Sequence, residues 1–270
     1  MDLTREHPIR RFESGRAVSA TDPVIREARI ELDLNDGQFQ IAMLCLPRDL
    51  EALAVGFLLS EGALTDAGDL ESIEVLEGGR ILLHGRFDAD VLANMSRRWT
   101  WGTGCGGGGT GRDTEGPRFA LLAAEPTITA DQLLALSRAF AERTGLWRET
   151  GGVHACALAD ANEVLLFAED VGRHNAFDKI IGMAARAGVD PSDKIALTTG
   201  RLSSEIVAKA LACRVPILAS RSAVTDLAIR LAKRSAQTLV GFLRGRRMNV
   251  YTGFQRVVEA SPPAPAAPIN

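Results

Sequence analysis

Hydrophobic and polar residues alternate along positions 24–46, and the alternation is interrupted by Asn-Asp-Gly at 35–37. A period of two is typical of half-buried strands, and an Asp-Gly pair between two such runs indicates a tight turn. We therefore predict a β-hairpin here. The apolar run that follows Pro47 has the length of a helix and is expected to end at Gly62, since glycine commonly ends helices.

The same alternation returns over residues 72–87 and predicts a second hairpin that turns at its Gly-Gly pair. A short helix is expected next, capped by Asp88 or Asp90. Together these elements predict a small α+β domain over residues 23–98. Residues 1–22 lack such a pattern and are expected to form a flexible arm.

Residues 99–126 have no periodicity and are interpreted as a glycine-rich cysteine loop. Their centre, residues 102–112, is GTGCGGGGTGR, in which Cys105 stands among seven glycines. A loop of this length inside a compact chain is usually either functional or disordered.

Residues 127–255 show a different pattern. Thr129 and Gln132 have the spacing of a capping box at the start of an amphipathic helix. Short apolar runs then alternate with helical runs, which is typical of a layered α/β domain with strands buried on both faces. The Pro/Ala-rich segment 256–270 is expected to be a disordered tail.

Composition and charge exclude several classes of function. Of 270 residues, 46% are hydrophobic and 24% charged, and the formal net charge at pH 7 is -3. A negative balance argues against general nucleic-acid binding, and no apolar run is long enough to span a membrane. The polar N-terminal segment has no secretory pattern. Four irregularly spaced cysteines fit neither a disulfide framework nor a metal site, so we expect a cytoplasmic protein with reduced thiols.

Three predicted strand-to-helix junctions combine arginine with small or hydroxyl residues. They are EDVGRHN (169–175), TTGRLSSE (198–205) and SRSAVTD (220–226). Ligands bind beyond the carboxyl ends of strands in open α/β sheets, and helix N-termini attract anions. The junctions therefore predict a site for an extended phosphorylated ligand. The candidate contacts are Arg173, His174, Arg201, Ser203 and Arg221. One junction alone would be better interpreted as an ordinary turn with a solvated arginine, but three on the same edge of one sheet favour the site.

A fourth basic segment, GFLRGRRMNVYTGF (241–254), follows the last predicted strand. Arg244, Arg246 and Arg247 surround Gly245, and their planar guanidinium groups suit phosphate oxygens or the face of a purine. The alternative is a solvated basic turn, and the spacing does not decide between the two.

Cys105 is the candidate nucleophile. The thiolate is the reactive form of cysteine, and nearby positive charge favours it. Glycine-rich backbone can direct several N–H groups at one anion, and Arg97, Arg98 and Arg112 lie close in sequence. Such a segment suits a sulfur that moves between a donor and an acceptor; the alternative is a linker with an incidental cysteine. The remaining cysteines, expected to be structural, are Cys45, Cys156 and Cys213.

The segment His154-Ala155-Cys156 suggests a zinc deaminase as an alternative. Those enzymes use His-x-Glu at a helix start and a later Cys-x-x-Cys to activate a zinc-bound water. Here a cysteine replaces the glutamate, and the chain contains no Cys-x-x-Cys. We therefore expect no intrinsic zinc and no deaminase activity.

Five successive segments resemble the formate dehydrogenase accessory sulfurtransferases, the FdhD family. They are TGGVHACAL, EDVGRHNAFDKIIG, TTGRLSSEIVAKA, VPILASRSAVTDLAIRLA and TLVGFLRGRRMNVYTG. The resemblance implies a cytidine-deaminase-like three-layer α/β domain with a smaller N-terminal α+β domain. It also implies a sulfur carrier that accepts persulfide sulfur from an L-cysteine desulfurase. The sulfur then passes to the molybdenum cofactor, bis(molybdopterin guanine dinucleotide), before the cofactor enters formate dehydrogenase.

The resemblance also implies roles for particular residues, with Cys105 as the persulfide carrier. The implied cofactor-binding stretch is Phe242, Leu243, Arg244, Gly245, Arg246 and Arg247. The family's loop usually carries Cys-x-x-Cys, whereas Gly108 stands where the second cysteine is expected. One sulfur suffices to carry a persulfide, so carriage at Cys105 is still expected, whereas release through an internal disulfide is not.

Two functional hypotheses follow. In the first, a sulfurtransferase carries the persulfide on Cys105; in the second, a non-catalytic chaperone binds the cofactor and delivers it to formate dehydrogenase. A homodimer would be the commonest assembly. The sequence leaves open the choice of molybdenum or tungsten and whether His154, Asp170 or His174 transfers protons.

Overall fold

The computed structural model describes residues 2–97, 100–101, 109–110, 119–122 and 126–259. The helices are α1 (Leu50–Glu61), α2 (Ala89–Arg97), α3 (Ala130–Glu142), α4 (Gly145–Thr150), α5 (Arg173–Ala187), α6 (Ser204–Ala212) and α7 (Asp226–Arg234). The strands are β1 (Thr4–Glu13), β2 (Arg16–Ile25), β3 (Ala28–Leu34), β4 (Phe39–Cys45), β5 (Leu70–Val75), β6 (Arg80–Gly85), β7 (Thr100–Trp101), β8 (Gly109–Thr110), β9 (Ile128–Thr129), β10 (His154–Ala159), β11 (Val164–Asp170), β12 (Ile195–Thr198), β13 (Ile217–Ser220), β14 (Thr238–Arg244), β15 (Arg247–Thr252) and β16 (Val257–Val258).

A mixed sheet of six strands, in the order β11-β10-β12-β13-β14-β15, lies at the centre of the C-terminal half. β12, β13 and β14 are parallel neighbours, and β10 pairs antiparallel with both β11 and β12. Consequently β11, β12, β13 and β14 run in the same direction, and their carboxyl ends meet at one edge. We call this edge the rim; it comprises residues 169–175, 198–205, 220–226 and 241–247.

Different helices cover the two faces of this sheet. Along β10, Ala155, Ala157 and Ala159 belong to the core that α3 closes. Cys156 and Leu158 point the other way, into the core formed with α5, α6 and α7. The result is a helix–sheet–helix arrangement of three layers. It agrees with the buried strands predicted from the pattern of the C-terminal half.

The N-terminal half has its own four-stranded sheet, in the order β4-β3-β6-β5. Helix α1 lies between this sheet and α5 and is buried along most of its length, which explains why it is apolar on all sides. Two glycines allow α1 and α5 to pack closely. A Cβ atom on Gly56 would overlap the Asp178 carbonyl oxygen, and one on Gly182 would overlap that of Ala52.

A buried cluster of charges joins α1, α5 and α6. Lys209 Nζ lies 2.9 Å from Glu61 Oε1 and 3.0 Å from Asp178 Oδ2. It donates to Ser60 Oγ at 2.8 Å, and Ser60 Oγ donates to Asp178 Oδ1 at 2.6 Å. Burial lowers the pKa of Lys209, but the two carboxylates raise it by more, so the lysine stays charged.

The turn predictions in the N-terminal half are confirmed. Asn35 and Asp36 both have positive φ in the turn between β3 and β4. Helix α1 ends at Gly62, which is in the left-handed conformation. The second predicted hairpin is formed by β5 and β6, with positive φ at Gly78 and Gly79.

The predicted helix starts are also confirmed. Asp88 Oδ1 accepts hydrogen bonds from the N–H groups of Asp90 and Val91, each at 3.0 Å, so Asp88 caps α2. Thr129 and Gln132 form the predicted capping box at the start of α3.

The prediction of a flexible arm over residues 1–22 is wrong. β1 and β2 form a hairpin, paired from Thr4 with Ile25 to Glu13 with Arg16, and Ser14 and Gly15 turn it at positive φ. Most of its side chains are exposed on both faces. Because neither face is buried, the sequence has no apolar–polar contrast that would mark these strands.

Two other predicted segments differ in part from the structure. Within the cysteine loop, β7 and β8 pair with each other, whereas the described residues 119–122 belong to no helix or strand. The predicted tail begins too early, because β16 pairs with β9 and the Arg256 side chain is fully buried. The Arg256 guanidinium donates to the Ala236 carbonyl oxygen at 2.6 Å, which fixes this segment.

Asp33 provides a test of the small sheet. Its carboxylate accepts from Gly37 N at 2.6 Å and Gln40 Nε2 at 2.9 Å and pairs with Arg80. The bond from Arg80 lowers the pKa of Asp33 from its ordinary 3.8. The charged Asp33 side chain therefore stabilises the folded state above about pH 3.8, and this stabilisation is lost as the pH falls through the lower pKa that Asp33 has in the folded state. We expect Asp33→Asn to reduce the free energy of unfolding by about 1 kcal/mol at neutral pH.

Urea titrations of both proteins across the acid range measure this effect. The difference between them should shrink as the pH falls below the ordinary pKa of aspartate. A difference that stays constant between neutral pH and strong acid would contradict the role assigned to the Asp33 charge.

Candidate functional site

The rim brings the predicted arginine junctions together. Arg221, which follows β13, donates its backbone N–H to the Thr198 carbonyl oxygen at the end of β12, at 3.2 Å. Phe242, in β14, donates its N–H to the Ser222 carbonyl oxygen at 2.9 Å. These bonds connect the ends of three neighbouring strands, so the junctions form one continuous edge with the basic segment 241–247.

Three helices begin at the rim without side-chain caps. Their N-cap residues are Gly172 for α5, Ser203 for α6 and Thr225 for α7. Serine and threonine usually bind a first-turn N–H, as Thr129 does in α3. Ser203 Oγ is buried and has no hydrogen-bond partner among the described residues. At a helix N-terminus that binds an anion, the first-turn N–H groups are left uncapped by side chains of the protein itself and point at the anion.

The arginines of the rim differ in exposure. Arg201, Arg244, Arg246 and Arg247 are exposed to solvent, whereas Arg221 is half-buried. One exposed guanidinium group can bind two oxygens of the same phosphate through two parallel hydrogen bonds. The rim therefore has the charge and geometry for an extended anion.

The turn between β14 and β15 carries most of these exposed arginines. Gly245 has φ of 63°, and Phe242 has φ of 52°. The Arg244 guanidinium lies 5.8 Å from the centre of the Phe242 ring. Leu243 was also predicted as a cofactor contact, but its side chain is buried in the core beside α3. Only the backbone of Leu243 is therefore placed to contact a ligand.

Arg173 and His174, at the start of α5, face a carboxylate on α6. Arg173 Nη2 lies 3.5 Å and His174 Nε2 lies 3.2 Å from the same oxygen, Glu205 Oε2. The side chains of Arg173 and Glu205 are each only 9% exposed. Gly200 packs against Arg173 so closely that a Cβ atom there would lie 2.9 Å from the arginine Cβ. Arg173 is thus a buried cation that pairs with Glu205.

His154, at the start of β10, lies near this cluster. Its Nδ1 is 3.3 Å from Thr199 Oγ1, and that hydroxyl accepts from the Ala155 N–H at 3.0 Å. Burial lowers the pKa of His154, and the neighbouring Arg173 and His174 lower it further. The imidazole is therefore neutral at pH 7, when it can accept or relay a proton.

Part of the segment EDVGRHN binds the small sheet. Asp170 Oδ2 accepts from the Leu46 N–H at 3.0 Å and lies 2.7 Å from Lys179 Nζ. Lys179 Nζ donates to the Leu46 carbonyl oxygen at 3.1 Å, and Asn175 Nδ2 donates to that of Leu44 at 2.8 Å. These residues fix the end of β4 to the start of α5. Asp170 is thereby a structural anchor of the rim.

The described cysteines are poor candidates for sulfur chemistry. Cys45 and Cys156 are fully buried, and burial raises the pKa of each thiol to about 12. Such thiols are almost entirely protonated, and therefore weak nucleophiles, at neutral pH. Cys213 is half-buried at the end of α6. Cys105, the predicted persulfide carrier, and Gly108 lie outside the described residues.

A search of the described residues finds no group of three or more His, Cys, Asp or Glu side chains that could hold a metal ion. Over the same ranges, none of the helices combines the length and apolar character that a membrane span requires.

Comparison with known proteins identifies the family. The sequence profile of the FdhD/NarQ family matches residues 25–258. The chain belongs to the FdhD/NarQ family. Two FdhD/NarQ relatives are each named sulfur carrier protein FdhD. The protein from Listeria innocua is 34% identical over 268 residues, which cover 95% of this chain and 100% of the relative. The protein from Wolinella succinogenes is 37% identical over 238 residues, covering 87% and 82%.

A solved structure supports the same assignment. The crystal structure of a candidate formate dehydrogenase accessory protein from Desulfotalea psychrophila has a TM-score of 0.78 and 28% sequence identity, and the match covers 95% of this chain and 100% of that one. The FdhD/NarQ match includes both main sheets and the whole rim. It confirms the family resemblance of the rim segments.

Sequence reasoning missed the two carboxylates that organise this FdhD/NarQ rim. The sequence predicts contacts for Arg201 and Ser203 in TTGRLSSE but none for Glu205, and it leaves open whether Asp170 transfers protons. Their partners lie far away in the sequence: Leu46 for Asp170, and Arg173 and His174 for Glu205. A helix-start glutamate beside serine is an ordinary capping pattern, so the sequence offered no signal for these contacts.

Proposed function

We propose that this FdhD/NarQ protein carries persulfide sulfur from an L-cysteine desulfurase to the molybdenum cofactor, bis(molybdopterin guanine dinucleotide), before the cofactor enters formate dehydrogenase. Relatives named as sulfur carriers support the first part, and the structural similarity to a candidate formate dehydrogenase accessory protein supports the second. The observation that carries the proposal for the cofactor is the rim, where three helix starts without side-chain caps lie beside exposed arginines.

Cys105 is the proposed sulfur acceptor, because buried Cys45 and Cys156 are weak nucleophiles. The Cys105 thiolate attacks the outer sulfur of the desulfurase persulfide. The S–S bond of the donor breaks, a new S–S bond forms at Cys105, and the desulfurase cysteine leaves as a thiolate. The products are a persulfide on Cys105 and a reduced donor.

Release of that sulfur as sulfide requires two electrons. A second loop cysteine could supply them by forming a disulfide, but Gly108 occupies that position. We propose instead that a thiol from outside the chain attacks the inner sulfur of the persulfide. A mixed disulfide forms on Cys105, sulfide leaves for the cofactor, and a second external thiol then restores the Cys105 thiol.

The cofactor is a substrate here, and we propose that its two diphosphates lie along the rim. Diphosphate oxygens are good acceptors for helix N-termini and for guanidinium groups, and guanine can stack on an arginine. The proposed contacts are residues 242–247 together with Arg201, Ser203 and Arg221. Arg173 and His174 are proposed to contribute to the same site from the start of α5. The three-layer arrangement also supports the finer proposal of a cytidine-deaminase-like domain.

The second candidate is a chaperone that binds the cofactor and delivers it without carrying sulfur. The glycine at position 108 favours it, because the loop has lost the thiol that would release sulfur internally. In both cases we propose a cytoplasmic protein that acts with formate dehydrogenase. Only the carrier also needs an L-cysteine desulfurase.

Binding of GDP, half of the dinucleotide, tests the role of the rim. We expect Arg244→Ala/Arg246→Ala to weaken GDP binding by about 100-fold or more in isothermal titration calorimetry, because the variant loses two charge-assisted hydrogen bonds of about 1.5–3 kcal/mol each. Arg234→Ala is the matched control, since Arg234 is exposed at the far end of α7. Equal GDP affinity in the double variant and the control would contradict the proposed site.

A further inference from the structure

Glu205 occupies an unusual position for an acidic residue near an anion site. It lies in the first turn of α6, and its side chain is only 9% exposed. One of its oxygens, Oε2, faces both Arg173 Nη2 at 3.5 Å and His174 Nε2 at 3.2 Å. A single carboxylate thus connects the start of α6 with the start of α5, and both helix starts belong to the rim.

We propose that Glu205 is a positioning residue, which fixes Arg173 and His174 so that the two helix starts present a rigid surface to the anionic ligand. This inference rests on the proposed function for the identity of the ligand, but the contact itself does not. Glu205 acts through its two partners and does not touch the ligand. The nucleotide is recognised by the surface that these partners hold in place.

The surroundings of Arg173 support positioning. Its stem is packed against Gly200, where even a methyl group would lie 2.9 Å from the arginine Cβ and Cδ atoms. Gly200 therefore restricts the path of the stem, and the Glu205 carboxylate faces the guanidinium at its end. An arginine fixed in this way loses little conformational freedom when a ligand binds, which favours affinity.

Whether removal of the Glu205 carboxylate weakens or tightens ligand binding distinguishes a positioning role from simple charge repulsion. A carboxylate that faced the ligand as a bare charge would repel an anion, and its removal would tighten binding. A carboxylate paired with Arg173 presents no net charge, whereas its removal takes away a charge that helps to hold the buried guanidinium in place. We therefore expect Glu205→Gln to weaken binding of GDP and of inorganic pyrophosphate about tenfold, as expected for two side chains that lose their fixed position.

The first measurement detects the contact without any ligand. The chain has four histidines, so ring ¹⁵N resonances can be assigned with single His→Gln variants. A carboxylate beside Nε2 favours the tautomer with its proton on that nitrogen. In Glu205→Gln we expect the His174 Nε2 resonance to move. The resonances of His7 in β1 and His84 in β6 should keep their positions.

The second measurement compares affinities for GDP and pyrophosphate by calorimetry, with thermal unfolding of each variant recorded alongside. The matched control is Glu163→Gln, an exposed glutamate in the β10–β11 turn at the opposite end of the sheet. The inference predicts weaker binding in Glu205→Gln alone. Unchanged or tighter binding, or an unmoved His174 resonance, would overturn it.

The two hypotheses fail in different ways. If the unmodified protein binds neither GDP nor pyrophosphate, the cofactor-binding part of the proposed function is wrong, and the His174 resonance alone decides the Glu205 contact. If the unmodified protein binds GDP and Glu205→Gln binds it equally well, the proposed function stands and the positioning role of Glu205 is wrong.

Discussion

Replacing Lys209 by methionine should lower the free energy of unfolding by about 3–5 kcal/mol. Methionine fills a similar volume but leaves Glu61 and Asp178 buried without the ammonium that lies 2.9 Å and 3.0 Å from them. Two carboxylates would then face each other in the interface of α1, α5 and α6. Urea unfolding at neutral pH, followed by circular dichroism, measures the loss.

The pH dependence of this loss identifies its cause. Burial already raises the pKa of Asp178, against the lowering by Lys209 and Ser60. Without Lys209 the pKa must rise further, so protonation in mild acid relieves the unpaired charge and the deficit should shrink as pH falls. Lys233→Met, at an exposed lysine of α7, should change stability by less than about 0.5 kcal/mol. A deficit below about 1 kcal/mol for Lys209→Met would contradict the assigned role of the cluster.

Replacing Cys105 by serine should abolish maturation of formate dehydrogenase while the fold and GDP binding persist. Serine keeps the size of the side chain but cannot form a persulfide. Activity of formate dehydrogenase in cells whose only copy is the variant should fall to the level of cells that lack the protein. Urea unfolding and GDP calorimetry on the purified variant should match the unmodified protein.

Cys213→Ser is the control for this experiment, because Cys213 is a half-buried cysteine at the end of α6. It should leave formate dehydrogenase active. A Cys105→Ser variant that still supports full activity, combined with an Arg244→Ala/Arg246→Ala variant that does not, would favour the chaperone over the carrier.

The parts of the fold that sequence predicts are those with strong local signals. The turn at Asn35 and Asp36, the end of α1 at Gly62 and the capping box of Thr129 each depend on neighbours a few residues away. The β1–β2 hairpin has no such signal, because charged residues occur on both of its faces. Strand β15 was missed for a similar reason, since it begins with the arginine of a basic turn and is partly exposed.

The candidate site could be predicted in outline and not in detail. Strands that run in parallel end at the same edge, so the convergence of the arginine junctions follows from the order of strands and helices. The exposure of an arginine depends on its contacts with residues that are distant in the sequence. Arg173 looked equivalent to Arg201 in the sequence, but Arg173 is buried against Glu205 whereas Arg201 is exposed.

Intact-protein mass spectrometry shows whether Cys105 carries sulfur. The protein is incubated with an L-cysteine desulfurase and L-cysteine, and the products are then mapped as peptides. We predict a mass gain of one sulfur atom on the Cys105 peptide, removable by a reductant and absent from Cys105→Ser. No sulfur on that peptide, in protein that still binds GDP, would contradict the carrier mechanism and favour the chaperone.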